Sequence, residues 1–84
     1  MIVTIKPHAE MRMKDRGVAE TQVREVLRNP KAVISVRYGR FAAYGEIEDR
    51  RLLVIYEKKE RGVEVVTALW VDERRLRRLG FAGV

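Results

Sequence analysis

One histidine and a row of arginines are the side chains of this sequence with the clearest capacity for chemistry. His8, Arg12 and Arg16 recur every four residues, and on a helix this spacing places them along one side. An imidazole titrates near neutral pH, so a histidine beside fixed positive charge could take part in cleavage of a phosphodiester. The structural alternative is that His8 fills the junction between the first strand and the sheet, while Arg12 pairs with a nearby carboxylate.

A second candidate site lies around the predicted turn at Tyr38 and Gly39. If these residues form a two-residue hairpin turn, Arg37 lies directly opposite Arg40 on the neighbouring strand. Two opposed arginines repel each other unless an anion such as a phosphate binds between them. The alternative is a solvated end of the hairpin, where both side chains extend into water.

Aromatic side chains near these arginines favour binding of nucleic acid. Tyr38 and Tyr44 lie in or beside predicted strands with basic neighbours, and exposed aromatic rings stack on the bases of single-stranded RNA. Tyr56 and Trp70 stand in the most apolar segments. We expect these two in the core or at a dimer interface.

The sequence offers little material for metal or cofactor chemistry. His8 is the only histidine and there is no cysteine, which argues against a zinc site built from those ligands. No glycine-rich phosphate loop precedes a helix, and no serine or cysteine nucleophile arrangement is present. We therefore expect neither a bound metal nor a cofactor.

The charge balance favours an acidic partner. The 84 residues include 18 lysines and arginines, 13 of them arginine, against 12 acidic residues, for a net charge of +6. Arginine pairs bidentately with phosphate and carboxylate groups, so RNA or an acidic protein is favoured. The alternative is a thermophile-like composition with surface ion-pair networks, since 36% of the residues are charged.

Length and hydropathy predict one domain over residues 1–84. The sequence has no disulfide framework, no first segment that resembles a signal peptide, and no apolar run long enough to span a membrane. These features favour a cytoplasmic location and predict no membrane partner.

Proline and glycine set the limits of the helices that position these side chains. A β-branched strand from Ile2 to Ile5 leads to Pro7, which begins a helix that ends near Arg16 at the cap Gly17. The second helix follows Ala19 and ends before Pro30. Its apolar stripe consists of Val23, Val26 and Leu27. A third helix, residues 73–79, has Asp72 as its cap and Leu76 and Leu79 facing inward.

After Pro30 the hydrophobic period changes to two, which predicts strands. The predicted strands are Ala32 to Arg37, Arg40 to Ile47, Arg51 to Glu57 and Val63 to Trp70. Sequential neighbours most simply form an antiparallel meander, and we expect the helices to cover one face of it. That face would carry Ile34, Val36, Phe41, Ala43 and Ile47.

The predicted fold class is α+β, with an N-terminal strand and a helical hairpin packed on a four-stranded antiparallel meander and a short C-terminal helix. The residues expected in the core include Leu27, Phe41, Leu53, Ile55 and Val65.

The helical part of this pattern consists of His8, Glu10, Arg12, Arg16-Gly17-Val18, Val23, Val26, Leu27 and Pro30. It resembles a prokaryotic family of small domains (domain of unknown function 4258), whose members open with a His-x-x-x-Arg helix and an Arg-Gly-Ile turn. The strands contain the segments Arg40-Phe41, Tyr44-Gly45, Arg51 to Val54 and Val65 to Ala68. These segments are similar to those of BrnT-type toxins in the RelE/ParE superfamily.

The resemblance implies a RelE/BrnT-like fold and a metal-independent endoribonuclease that a partner antitoxin neutralises. In such enzymes basic side chains stabilise the phosphorane while a 2′-hydroxyl attacks. Arg40 stands where the toxins carry an arginine before phenylalanine, and Thr67 stands at the serine of their Ile-Ser-Ala-Arg segment. Leu69 replaces the arginine of that segment, so a relative that binds without cleaving is the open alternative.

The candidate catalytic residues are Arg40, His8, Arg12 and Thr67. The candidates for binding RNA, including ribosome-bound mRNA, or an antitoxin are Arg37, Tyr38, Tyr44, Arg16, Lys58, Arg74, Arg75 and Arg78. The alternative function is a non-catalytic RNA-binding or protein-interaction domain, for example a homodimer formed through an exposed sheet edge.

Overall fold

The computed structural model describes all residues from 1 to 84 and contains five strands and three helices. The strands are β1 (Ile2–Ile5), β2 (Ala32–Val36), β3 (Arg40–Ile47), β4 (Arg50–Lys59) and β5 (Gly62–Val71). The helices are α1 (Pro7–Asp15), α2 (Glu20–Arg28) and α3 (Glu73–Leu79). This is the predicted α+β class, with the elements in the predicted order. No helix has the length and apolar character needed to cross a bilayer.

The helix ends form at the residues that the sequence indicates. Pro7 occupies the first turn of α1, and Gly17 follows the helix with a left-handed φ of 67°. At the start of α2, the backbone N–H of Ala19 donates to Oε1 of Gln22 at 2.9 Å. At α3, the carboxylate of Asp72 accepts from the backbone N–H of Arg75 at 2.9 Å. The caps therefore act as predicted.

The sheet is mixed, with the strand order β1-β5-β4-β3-β2. Strands β2 to β5 form the expected antiparallel meander. Strand β1 pairs in parallel with β5 through the register Ile2 to Gly62 up to Ile5 to Val65. The helical hairpin between β1 and β2 allows this arrangement, because parallel neighbours need a long crossover connection. Gly62 is required there, since a Cβ at this position would overlap the backbone of Ile2.

The predicted two-residue turn at Tyr38 and Gly39 is wrong. Residues Arg37–Gly39 form a single 3-10 turn, in which Tyr38 and Gly39 have φ values of 63° and 68°. The extra residue shifts the register by one, so Arg40 lies opposite Val36 and not opposite Arg37. A shift by one residue also moves side chains to the opposite face of the sheet.

The sheet is covered on both faces, so the prediction that the helices share one face is wrong. Helices α1 and α2 cover the first face, whose core is Met13, Val18, Val23, Val26, Ala43, Leu52, Val54, Tyr56, Val63, Val65 and Ala68. Helix α3 and the C-terminal residues cover the second, smaller core of Ala42, Leu53, Leu76 and Phe81. A sheet with both faces buried leaves less contrast between alternating side chains.

The five residues predicted to share the helix-covered face are split between the two faces. Phe41, Ala43 and Ile47 belong to the core beneath the hairpin, while Ile34 and Val36 pack on the second core. Of the residues expected to be buried, Leu53 and Val65 are fully so. Leu27, Phe41 and Ile55 are only partly buried at the margins of the two cores. Leu79, expected to face inward, is 37% exposed.

Candidate functional site

A cleft of about 430 Å³ opens between the end of the β2–β3 hairpin and the last turn of α3. Its lining residues are Ser35, Val36, Arg37, Tyr38, Arg40, Ile55, Arg78 and Leu79. We call this surface the arginine cleft. Three of its side chains carry fixed positive charge and none is acidic, so it attracts anions. Its floor is apolar, which suits a ligand with a planar base or another apolar part.

Tyr38 forms an exposed platform at the edge of the arginine cleft. Its side chain is 82% exposed, which is unusual for an aromatic ring. The guanidinium carbon of Arg40 lies 5.9 Å from the centre of the ring, within the range of a cation–π contact. The left-handed backbone of Tyr38 is strained for a side chain of this size. Such strain is often found where a turn presents a functional side chain.

Arg40 and Glu57 form a cross-strand ion pair at the end of the β3–β4 ladder. They follow directly on the register pair Phe41 and Tyr56, so they lie opposite each other. The Nε group of Arg40 donates to Oε2 of Glu57 at 3.1 Å, and their side chains are 37% and 28% exposed. Arg40 is therefore positioned by its partner and is not a freely moving surface arginine.

A second cavity, of about 240 Å³, lies on the other side of Arg40 and reaches the start of α1. Its lining residues are Lys6, His8, Ala9, Arg40, Glu57, Glu64, Val65 and Val66. We call it the histidine cavity. No three of the histidine and acidic side chains in the structure converge closely enough to hold a metal ion. The chemistry that this cavity offers is proton transfer, through an imidazole and two carboxylates.

The acidic residues of the histidine cavity belong to a row of alternating charges. Glu57 and Glu64 lie opposite each other on β4 and β5, where two like charges would repel. Lys59 relieves this repulsion, because its Nζ lies 3.3 Å from Glu57 and 3.9 Å from Glu64. Lys6 also pairs with Oε1 of Glu64, at 3.3 Å. The cavity is therefore close to balanced in charge, unlike the arginine cleft.

The row of charges lowers the pKa of Glu57 below its ordinary value. The largest cause is the hydrogen bond from Arg40, and the next is the hydrogen bond from Lys59. Glu57 is therefore a carboxylate at neutral pH and can accept a proton. A lowered pKa also makes it a weaker base than an unpaired glutamate.

Arg40 is the residue that the two cavities share. The structure thereby brings together two of the predicted catalytic residues, since His8 lines the cavity on one side of Arg40. It also brings Arg37, Tyr38 and Arg78 together on the other side.

The other two predicted catalytic residues lie elsewhere. Thr67 is partly buried, and its hydroxyl accepts a hydrogen bond from Arg16 at 2.9 Å. Arg16 also donates to the backbone carbonyl of Ala68 at 3.2 Å, so its side chain binds the free edge of β5. Arg12 is exposed on α1, and its side chain makes no hydrogen bond or ion pair. The row of His8, Arg12 and Arg16 is thus interrupted, because α1 ends at Asp15 and Arg16 turns toward the sheet.

The remaining predicted binding residues also lie outside the arginine cleft. Tyr44 packs edge-on against Phe81, with the ring centres 5.0 Å apart, and is only partly exposed. Lys58 lies over Phe41, with its Nζ 4.4 Å from the centre of the ring. Arg74 and Arg75 are exposed on α3 without ion-pair partners. They extend the positive charge of the helix beyond the cleft.

The sequence analysis missed Glu57, Glu64 and Lys6. Glu57 depends on the strand register, because a two-residue turn at Glu48 and Asp49 places it opposite Arg40. Both turn residues have positive φ, at 47° and 68°. This conformation is usually supplied by asparagine or glycine, so the residue types did not indicate a two-residue turn. The predicted strands leave three residues between Ile47 and Arg51, which shifts the register by one from the observed pair Ile47 and Arg50.

Comparison with known proteins gives a family without an assigned function. No curated protein and no solved structure matches the sequence of this chain significantly. Residues 5–70, from the last residue of β1 to the residue before the end of β5, match the family described as "Domain of unknown function (DUF4258)". The match includes both walls of the histidine cavity and the β2–β3 hairpin of the arginine cleft, but it ends before α3. The chain therefore belongs to the DUF4258 family.

Proposed function

We propose that this protein binds single-stranded RNA in the arginine cleft and cleaves it at Arg40 without a metal ion, in the manner of the BrnT-type toxins that its strands resemble. The observation that carries the proposal is the position of Arg40. It forms part of the wall of a cleft suited to a nucleotide and of a cavity that holds an imidazole and carboxylates.

The binding step rests on charge and stacking. Arg37, Arg40 and Arg78 offer three guanidinium groups to phosphates, with no acidic side chain in the lining. Tyr38 offers a ring on which a base can stack without regard to its identity. Single-stranded RNA fits these features better than a duplex does, because its bases are free to turn toward the protein.

The proposed cleavage is an internal transesterification. Glu57 takes the proton of the 2′-hydroxyl, whose oxygen forms a bond to phosphorus, and Arg40 stabilises the negative phosphorane. The bond from phosphorus to the 5′-oxygen then breaks, and that oxygen receives a proton from His8. The products are a 2′,3′-cyclic phosphate and a 5′-hydroxyl, so neither water nor a metal enters this step.

The ion pair between Arg40 and Glu57 couples binding to chemistry in this proposal. A phosphate that binds Arg40 competes with Glu57 for the guanidinium group. Loss of that hydrogen bond removes the largest cause that lowers the pKa of Glu57. Glu57 thereby becomes a stronger base when substrate is bound.

A second candidate function is binding without cleavage. Thr67 is engaged with Arg16, Leu69 stands where the toxins carry an arginine, and Arg40 is neutralised by Glu57 in the free protein. A protein with these features could keep the arginine cleft for RNA, for mRNA on the ribosome or for an acidic antitoxin segment. The cytoplasm is the compartment where each of these partners occurs.

The experiment that tests the proposed binding compares two arginine variants of equal charge change. Arg78→Ala removes a cation from the cleft, while Arg28→Ala removes one from the end of α2, where the side chain is 74% exposed. We expect Arg78→Ala to weaken binding of a fluorescent single-stranded RNA by about tenfold, and Arg28→Ala to change it little. Equal losses of RNA affinity in the two variants would mean that binding depends only on the net charge and that RNA does not occupy the cleft.

A further inference from the structure

The two outer strands of the sheet differ in how their free edges are protected. Strand β1 is one edge, and its Val3 carbonyl accepts a hydrogen bond from Arg24 of α2 at 3.5 Å. Beyond Val65, strand β5 has no neighbour on the β1 side, and there Arg16 donates to the carbonyl of Ala68. Arginine side chains therefore cap both of these free backbone segments.

Strand β2, at the other edge, has no such protection. No side chain donates to or accepts from the backbone of Ala32–Val36. None of its five residues is charged, none is proline, and its ladder with β3 has no bulge. Val33 is 44% exposed. An uncharged, regular edge of this kind presents unpaired N–H and C=O groups to a further strand.

We propose that β2 pairs with β2 of a second copy of this chain, antiparallel and centred on Ile34, to form a two-fold symmetric dimer with a continuous ten-stranded sheet. Four of the five residues of the strand are apolar, and the fifth, Ser35, is uncharged. Antiparallel pairing around Ile34 places Ala32 opposite Val36 of the partner subunit, and Val33 opposite Ser35 of the partner subunit. Every facing pair is then uncharged.

The side chains on both faces of β2 are compatible with this pairing. Ala32, Ile34 and Val36 pack on the core beneath α3, so the same row in the second copy continues that apolar layer across the two-fold axis. Val33 and Ser35 lie on the opposite face, where β2 reaches beyond the cover of the helical hairpin and both side chains are exposed. Pairing therefore buries apolar surface that the single copy leaves in water.

The charged residues at the ends of β2 also permit pairing with a second copy. In this register, Lys31 lies opposite Arg37 of the partner subunit, which alone would be repulsive. Lys31 is already paired with Glu46, whose carboxylate lies 2.8 Å from its Nζ. This pairing lowers the pKa of Glu46 and raises that of Lys31. The end of the strand thus presents a neutral ion pair to the approaching arginine.

Sedimentation velocity of the full chain over a range of concentrations tests the dimer. We expect a species of twice the 9.8 kDa chain mass that persists at high salt and after nuclease treatment. Val33→Lys should convert it to a monomer, because it adds a charge to the pairing edge. Ile2→Lys is the matched control, since Ile2 is a 59% exposed residue on the opposite edge strand, and it should leave the dimer intact.

Three results would overturn the proposal. The first is a wild-type monomer at all concentrations, and the second is a dimer that nuclease dissociates, which would show that RNA bridges the copies. The third is a dimer that survives Val33→Lys while circular dichroism shows the variant to be folded. The outcome does not depend on RNA cleavage.

Discussion

Arg40 and Glu57 lie opposite each other on β3 and β4, joined by a 3.1 Å hydrogen bond from Nε to Oε2. The pair stands between a cleft lined by three arginines and a cavity that contains His8. It holds the guanidinium group at the boundary of both spaces and keeps the carboxylate ionised. Several measurable consequences depend on this one contact.

The first prediction concerns the pH dependence of stability. The folded pKa of Glu57 is lower than its ordinary value of about 4.5. A group of this kind stabilises the fold above its unfolded pKa, and the contribution is lost as pH falls through the folded pKa. We expect Glu57→Gln to be less stable than wild type at neutral pH and to lose less stability on acidification. Urea denaturation followed at several pH values measures both.

Glu25→Gln is the control for this prediction. Glu25 pairs with Arg28 at 3.4 Å on the surface of α2, and both side chains are more than half exposed. Exposed pairs contribute little, so this variant should follow the wild-type curve. Parallel pH curves for Glu57→Gln and wild type would contradict the role assigned to the ion pair.

The second prediction concerns salt. Each phosphate that the protein neutralises releases counterions, so the logarithm of the RNA affinity should fall linearly with the logarithm of salt concentration. The double variant Arg37→Ala with Arg40→Ala should reduce this slope by about two units if each side chain contacts one phosphate. The pair Arg28→Ala with Arg61→Ala changes the net charge equally and should leave the slope near wild type. A flat salt response of wild type would refute electrostatic binding.

The third prediction concerns Tyr38. Stacking of a base on an aromatic ring is worth about 1–3 kcal/mol, so Tyr38→Ala should raise the Kd for single-stranded RNA by roughly fivefold or more. Tyr38→Phe keeps the ring and should bind like wild type. Fluorescence anisotropy titrations measure both values. Equal weakening by the two variants would show that the hydroxyl, and not the ring, contacts the RNA.

The outcome at the turns shows what the sequence could and could not predict. The β-branched run before Pro7, the change of hydrophobic period after Pro30 and the caps at Gly17 and Asp72 predicted the five strands and three helices, because these signals are local. The register between β2 and β3 could not be predicted, because it changes when the turn at Arg37–Gly39 has three residues and not two. Arg40 was found through its neighbours in sequence, whereas Glu57 is defined only by cross-strand pairing.

The face covered by α3 was hidden for a related reason. Both faces of the central strands are buried, so runs such as Leu52-Leu53-Val54 show no alternation that would assign a side. Helix α3 contributes one fully buried residue, Leu76, to that core, and Phe81, which follows the helix, contributes another. The parallel pairing of β1 with β5 likewise depends on a crossover connection, which no local sequence pattern indicates.

The fourth prediction tests the second core. Leu76 is completely buried, so Leu76→Ala should lower the free energy of unfolding by about 2–5 kcal/mol. Leu79→Ala removes the same atoms from a residue that is 37% exposed and should cost clearly less. Chemical denaturation at one pH compares the two. A small loss at Leu76 would mean that α3 is not packed on the sheet in solution.

The fifth prediction, and the most direct test of the central claim, is the cleavage rate of a single-stranded RNA in the presence of a metal chelator. We expect cleavage with a 2′,3′-cyclic phosphate end, and none when the 2′-hydroxyl at the cleaved position is absent. His8→Ala should lower the rate about a hundredfold to ten-thousandfold per folded molecule, as expected for loss of a proton donor, and Arg40→Ala should abolish it. The folded fraction of each variant is measured on the same sample, because a purely structural His8 would lower thermal stability and leave the rate unchanged. Cleavage that chelation abolishes and a divalent ion restores would contradict the account, and so would the absence of cleavage with and without ribosomes.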